Sequence, residues 1–297
     1  MKKEWSGKTR GGNFGQKSLI FYFRHGSVAF SYFVLALIVP FYMLFARKGY
    51  NSIYSYFRKI RCYGVVRSFA MTYSNHYLFG QSMFDKYALF CNNGKNYKLS
   101  FDGREAFDEA LTGKQGIIII SSHCGNFELA GYILKQNLKR INAIAFGGES
   151  QVYQQARENI LSENNITMIP VCDDFSHIYA INKALSNGEI LIVPGDRAYE
   201  GSKTGERNFM GHIARFPAGP FHLAEKYDTR VFAIFVMKES DFHYKTIVRP
   251  ISIPHNEGMT KTERIEMMAD NYVHTLESVV NQYPAQWYNF YKFWDKA

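Results

Sequence analysis

Two side chains able to move a proton, His123 and Glu128, stand five residues apart in the stretch Gly-Ile-Ile-Ile-Ile-Ser-Ser-His-Cys-Gly-Asn-Phe-Glu-Leu from Gly116 to Leu129. On one continuous α-helix such a pair would point about 140° apart, so the two meet only where the chain turns between them. Gly125 permits that turn, Asn126 is a good N-cap, and Glu128 falls in the first turn of the helix expected next. A carboxylate on one imidazole nitrogen fixes the tautomer and leaves the other nitrogen to take a proton from a substrate. The plain alternative is a satisfied strand-end histidine beside a helix-terminal charge favoured by the dipole.

A second apolar run, Ile190 to Val193, delivers Gly195, Asp196 and Arg197 to its carboxyl end, the same edge as His123 in a parallel sheet. Asp196 suits positioning a donor or bracing an arginine, and Arg197 suits holding a phosphate or a developing oxyanion. Arg157, facing inward from its helix, would be another such contact. An ordinary loop-capping Asp and Arg pair and a solvated Arg157 are the structural alternatives. Around Gly211, the segments Phe209-Met-Gly and Arg215-Phe-Pro-Ala-Gly-Pro read as a loop and helix start whose small residues admit a ligand chain. Cys124 reads as a neutral thiol filling space beside the histidine, the rival role being an acylated nucleophile.

The elements that must position these groups follow from the pattern. Ile117 to Ile120 are the wholly apolar, β-branched run of a strand buried on both faces, ending near His123. Helices are expected at 102–114, 128–137, 151–164, 175–187, 216–227 and 260–282, and further strands at 142–146, 167–171, 189–194 and 230–237. That alternation predicts an α/β fold: a mainly parallel central sheet flanked by helices, with an N-terminal membrane-associated helix. Residues 1–93 form the expected N-terminal membrane-associated helical region and 94–297 the catalytic domain.

From Gly26 to Ala46 no residue is charged, and as a helix the stretch reaches about 31 Å, enough to cross a bilayer's hydrocarbon. Pro40 weakens a spanning reading, and Arg24, Arg47 and Lys48 put positive charge on both flanks, so a helix lying in the interface fits nearly as well. A net charge of +9 with 25 Phe and 21 Tyr suits an anionic membrane surface or acidic substrates, although nucleic acid would fit the charge alone. Cys62, Cys91, Cys124 and Cys172 are too widely spaced for a zinc ribbon or a disulfide framework, and reduced thiols facing the cytoplasm are expected. No removable signal peptide is read.

His123-Cys-Gly-Asn-Phe-Glu128, Pro194-Gly-Asp-Arg197, Phe209-Met-Gly211, Phe216-Pro-Ala-Gly-Pro-Phe and an aromatic tail from Gln286 follow one another in the order and rough spacing of a known group. The chain resembles the bacterial lipid A biosynthesis (late) acyltransferases, within the lysophospholipid acyltransferase superfamily with its His-x-x-x-x-Asp/Glu signature. The resemblance implies an inner-membrane enzyme with its catalytic domain on the cytoplasmic side. It would move a fatty acyl chain from acyl carrier protein or coenzyme A to a hydroxyl of a glycolipid, with no metal or cofactor and no nucleic-acid partner. His123 would be the general base and Glu128 its support, with Gly125, Asn126, Arg157, Asp196, Arg197 and Gly211 around the oxyanion or substrate. Cys124 and Phe127 replace the aromatic and Trp usual in the histidine box, which leaves room for another lipid acceptor. A hydrolase lacks its Gly-x-Ser-x-Gly elbow here, and a glycosyltransferase using Asp173, Asp174 and His177 lacks Asp-x-Asp. A membrane-surface binding protein is the non-enzymatic rival.

Overall fold

The computed structural model describes residues 18, 21–90, 97–130, 138–146, 165–171, 176–198, 202–253 and 258–294. Its centre is a seven-stranded sheet of β1 (Lys98–Asp102), β2 (Ile117–Ser121), β3 (Ile141–Phe146), β4 (Ile166–Val171), β5 (Ile190–Pro194), β8 (Arg230–Ser240) and β9 (His243–Pro250). In space the order is β1-β9-β8-β2-β5-β3-β4. Among the described residues of this sheet only β8 and β9 pair antiparallel, so β1 and β9 run against the other five strands. The α/β class and the mainly parallel sheet are as the sequence predicts.

β2 lies in the middle of the sheet and all five of its residues are buried. Ile118 and Ile120 join a core with Tyr272 and Leu276 of the long helix α7 (Lys261–Gln282), while Ile117 and Ile119 pack with Phe107 and Leu111 of α4 (Glu105–Thr112). A strand covered on both faces has no use for alternation, which is why it reads as one apolar run. α7 starts at a complete capping box, Thr260 accepting from the Glu263 amide while Glu263 accepts from the Thr260 amide. On the described part of the sheet's other half, α5 (Ser176–Ser186) packs near β4 and β5, and α6 (Gly219–Tyr227) leads into β8.

Four strands were not expected from the sequence. β1 occupies the residues before α4, so that helix begins at Glu105 rather than Asp102. β9 returns alongside β8, its Tyr244 and Val248 buried but its Lys245 and Arg249 polar, a pattern the long apolar β8 overshadowed. β6 (Thr204–Phe209) and β7 (His212–Pro217) form a separate antiparallel hairpin. Phe216 and Pro217 complete β7, so α6 starts only at Gly219. The helix expected at 128–137 opens as a 3-10 turn, Phe127–Leu129, and its remainder at 131–137 lies outside the described residues, as do the helix at 151–164 and the 93/94 boundary.

Ahead of the sheet, α1 (Val28–Phe45), α2 (Arg47–Ser55), a π-helical turn (Tyr56–Ile60) and α3 (Val65–Phe90) follow in order. α1 starts at Ser27, whose side chain accepts from the Phe30 amide, and continues through Pro40. Its 18 residues span about 27 Å. Among the described residues it is the one helix long and apolar enough to cross a membrane. Val28, Tyr32, Leu35, Val39 and Met43 recur at helical spacing and are buried, packing with Phe84, Ala88, Tyr73 and Tyr77 of α3. Phe30, Phe33, Leu37, Phe41 and Phe45 on the other faces are bare.

Candidate active site

β2 and β5 are neighbours in parallel register, with Ser121 opposite Pro194, and the ladder continues one step through the Gly195 amide to the Ser121 carbonyl at 2.8 Å. Each strand therefore delivers its next-but-one residue to the same place. His123 follows Ser121 by two positions and Asp196 follows Pro194 by two. The Asp196 carboxylate takes both groups His123 offers: the backbone amide on Oδ2 at 2.9 Å and the ring Nδ1 on Oδ1 at 2.8 Å. Gly195 is required between them, because a Cβ there would lie 2.3 Å from Ile120 and 2.6 Å from the Tyr272 ring.

Asp196 is 2% exposed, whereas the His123 side chain keeps 21% of its surface open beside the Phe127 ring, 4.9 Å away between centroids. Burial works to raise the Asp196 pKa, but the facing His123 and the nearby Arg197 outweigh it and hold the carboxyl below the usual aspartate range. An ionised carboxylate on Nδ1 selects the tautomer that carries its proton there and turns Nε2 outward as the acceptor. Burial, and then the Asp196 charge, push the Cys124 thiol well above its ordinary value, so it is neutral and fully enclosed.

The loop carrying His123 is held from three sides. The C-terminal tail pairs with it as a short antiparallel bridge: the Tyr288 amide donates to the His123 carbonyl and the Gly125 amide to the Gln286 carbonyl, both at 2.8 Å. β8 takes the Asn126 amide on its Val236 carbonyl at 2.7 Å. The Asn126 side chain then donates to the Ser82 carbonyl of α3 at 3.0 Å. Gly125 sits at φ +63°, and a Cβ there would lie 2.1 Å from the Val236 oxygen, so the position excludes every side chain. α3 also fixes the tail, the Asn75 side chain donating to the carbonyls of Ala285 and Trp287 at 3.0 and 2.9 Å.

The sequence profile of bacterial lipid A biosynthesis acyltransferases matches residues 77–296, which takes in this pair, its loop and the tail. The chain belongs to that family. Among curated proteins none matches it. Membership implies acyl transfer to a lipid A-type acceptor.

In this family member the carboxylate on Nδ1 is that of Asp196, whereas the sequence pointed to Glu128. Glu128 belongs to the turn Phe127–Leu129, and its side chain lies outside the described residues, as does all of Arg157. Asn126 occupies the position before that turn without a side-chain cap bond, its amide group going to α3 instead. The amides of Gly125 and Asn126, expected to face an oxyanion, donate inside the protein. Arg197 lies at the same edge, one guanidinium nitrogen donating to the Tyr288 carbonyl at 2.9 Å and the group stacking over Tyr291 at 5.4 Å. Gly211 makes, with Met210, the two-residue turn of the β6–β7 hairpin, φ +78° and +56°, as such turns demand. Among the described residues no group of three His, Cys, Asp or Glu side chains could hold a metal ion, and the Asp173-Asp174 pair lies outside them.

Sequence reasoning missed that Asp196 faces His123, although it put both at one edge. The signal was available in the matched strand ends, but it needs β5 to be the neighbour of β2, and β3 comes first in the chain. It also missed the bracing role of Gln286 and Trp287. Trp287 is 1% exposed and its ring packs among Tyr56, Phe209 and Phe293 directly behind Cys124.

Proposed function

We propose that this protein transfers a fatty acyl chain from the thioester of acyl carrier protein or coenzyme A to a hydroxyl of a lipid A-type or related glycolipid, at the cytoplasmic face of the inner membrane. The observation that carries this reading is the contact between a buried aspartate and the inner nitrogen of a histidine whose ring still reaches solvent.

His123 Nε2 takes the proton of the acceptor hydroxyl as its oxygen attacks the thioester carbonyl carbon. The imidazolium formed is stabilised by Asp196, which keeps its own charge throughout. The tetrahedral intermediate collapses with cleavage of the carbon–sulfur bond, and His123 returns the proton to the departing thiolate. Base assistance of this kind contributes roughly 10²- to 10⁴-fold, so charge developing on the carbonyl oxygen needs donors as well. Arg197, already at the edge, and Arg157 are proposed for that task or for the donor's phosphates. Glu128, a short turn away from His123, is proposed as a second acidic group working with it on the substrate side. Neutral Cys124 takes no covalent part. α1, with one apolar face on α3 and the other bare, is proposed to seat the enzyme on the membrane that holds its acceptor.

The test is acyl transfer from labelled thioester in membranes of expressing cells, comparing the unaltered chain with His123→Ala and Cys124→Ala. Loss in the histidine variant with activity kept in the cysteine variant is expected. Loss in the cysteine variant alone would overturn direct transfer, and no product from any form would favour a binding protein.

A further inference from the structure

Away from the site, a buried polar cluster gathers around a single carboxylate. Asp85 of α3 is wholly buried, and four donors converge on it among the described residues. Tyr32 of α1 and Tyr97 (at 2.6 Å) hold Oδ1, while Lys238 of β8 (at 2.6 Å) and Tyr244 of β9 hold Oδ2. The Lys238 ammonium also donates to the Tyr32 hydroxyl at 3.0 Å and the Asp241 carbonyl at 2.7 Å. Removing two charges from water costs about as much as their attraction returns, so such a pair is weak evidence for stability, and what distinguishes it is the geometry it enforces.

That geometry leads to His123 by two routes. Lys238, held at its tip by Asp85, is gripped at its backbone by Gln286. Its amide donates to Gln286 Oε1 at 2.9 Å and its carbonyl accepts from Nε2 at 2.8 Å, while the Gln286 carbonyl receives the Gly125 amide. Tyr244, donating to Asp85, accepts from the Asn126 side chain at 3.4 Å, and Asn126 is bound through its own amide to Val236, two residues before Lys238. Two of the holds on the histidine loop, one through the tail and one through Asn126, therefore lead back to one carboxylate that bonds to neither His123 nor Asp196.

We propose that Asp85 is a positioning residue for acyl transfer, which holds Lys238 and Tyr244 so that the Gln286 tail and the Asn126 amide keep His123 in register with Asp196. The proposal rests on His123 being the base. Tyr32 brings α1 into the same cluster, so the apolar helix and the histidine loop share an anchor.

The test uses the full chain in detergent or lipid, with Asp85→Asn and Tyr244→Phe compared for kcat and KM per folded molecule. The rate at which diethyl pyrocarbonate modifies His123, read by peptide mass, is measured alongside. A positioning role predicts a kcat loss of about 10- to 100-fold in Asp85→Asn and a smaller loss in Tyr244→Phe, since displacement by about 1 Å can cost 100-fold. KM should stay near its ordinary value and the His123 modification rate should change. A role confined to holding the fold together would lower the melting temperature but leave kcat per folded molecule and His123 reactivity unaltered, and that result overturns the proposal. Where Asp85→Asn does not fold, Tyr244→Phe decides, because it removes one hydroxyl and leaves the ion pair in place. Should His123→Ala stay active, the catalytic reading itself fails. Should it be inactive while the deciding variant, Asp85→Asn or, where that does not fold, Tyr244→Phe, keeps wild-type kcat and reactivity, the positioning role alone fails.

Discussion

The helices of residues 21–90 and the α/β layer that follows treat their surfaces in opposite ways. Between Trp5 and Phe84 the sequence has ten lysines and arginines and no aspartate or glutamate. Arg58, Arg61 and Arg67 meet neutral groups there: the Tyr63 carbonyl, the Asn281 side chain and the Tyr63 ring. In the layer, several cations have carboxylate partners, as in Arg264 with Glu225, Arg207 with Glu266 and Arg104 with Asp108. Exposed large apolar residues divide likewise, crowding α1 and the start of α3 at Phe41, Leu44, Phe45, Val65, Val66 and Phe69 but sparser among the described residues of the layer. Bare apolar surface beside unmatched positive charge suits an anionic leaflet, whereas balanced charge over a closed core suits water. On the function proposed above, adhesion and chemistry fall to different stretches of chain, and the His123–Asp196 pair sits where they join, with tail and loop pinned to α3.

The sharpest way to probe the chemical half of this contrast is Asp196→Asn. The amide no longer selects the tautomer or balances an imidazolium, so activity should fall by about 10² to 10⁴, with the protein still folded and still on membranes. An assay of membrane-bound enzyme in both forms checks this. Gly125→Ala comes next. Its Cβ would be driven against the Val236 oxygen at a positive φ, so stability should drop by at least about 1–3 kcal/mol in denaturant titration, with activity lost in parallel.

The adhesive half is probed by Phe33→Glu with Phe41→Glu. Both side chains are on the bare face of α1, so the fold should hold while partition onto vesicles of anionic lipid falls by roughly tenfold or more, as two rings that would enter the bilayer become charges. Retained binding would mean that this face does not meet the bilayer.

The smallest effect concerns acid. Asp196 has a folded pKa below its unfolded value of about 3.9, so its contribution to stability is fully present above that value and is lost as pH falls through the lower folded one. Denaturant titrations from pH 6 to pH 2 should show a steeper decline in the unaltered chain than in Asp196→Asn. Equal slopes would mean that the Asp196 carboxyl is not held below its ordinary range.

How much of this was legible beforehand depended on whether the signal was local. Four consecutive isoleucines announce a strand buried on both faces wherever it is placed, and the long uncharged stretch of α1 announces itself in the same way. The edge where His123 and Asp196 gather was legible too, because parallel strands expose one common end. What could not be read was who faces whom. Glu128 is near His123 in sequence, whereas Asp196 is near it only because β5 slots between β2 and β3. β6, β7 and β9 carry charges that blur any alternation, and Phe216-Pro217 ends a strand where the proline suggested a helix start. Asp85 gave no sign at all, since a carboxylate late in a helix reads as solvated until tyrosines from α1, β9 and the chain before β1 are seen around it.

The ring of His123 offers the most direct measurement. Nitrogen NMR of the histidine-labelled protein, at a pH where the ring is neutral, should show the proton on Nδ1, in a strong hydrogen bond, with Nε2 unprotonated. That signature should disappear in Asp196→Asn. A proton found on Nε2 in the unaltered chain would leave no base facing the acceptor, and the account would fail there.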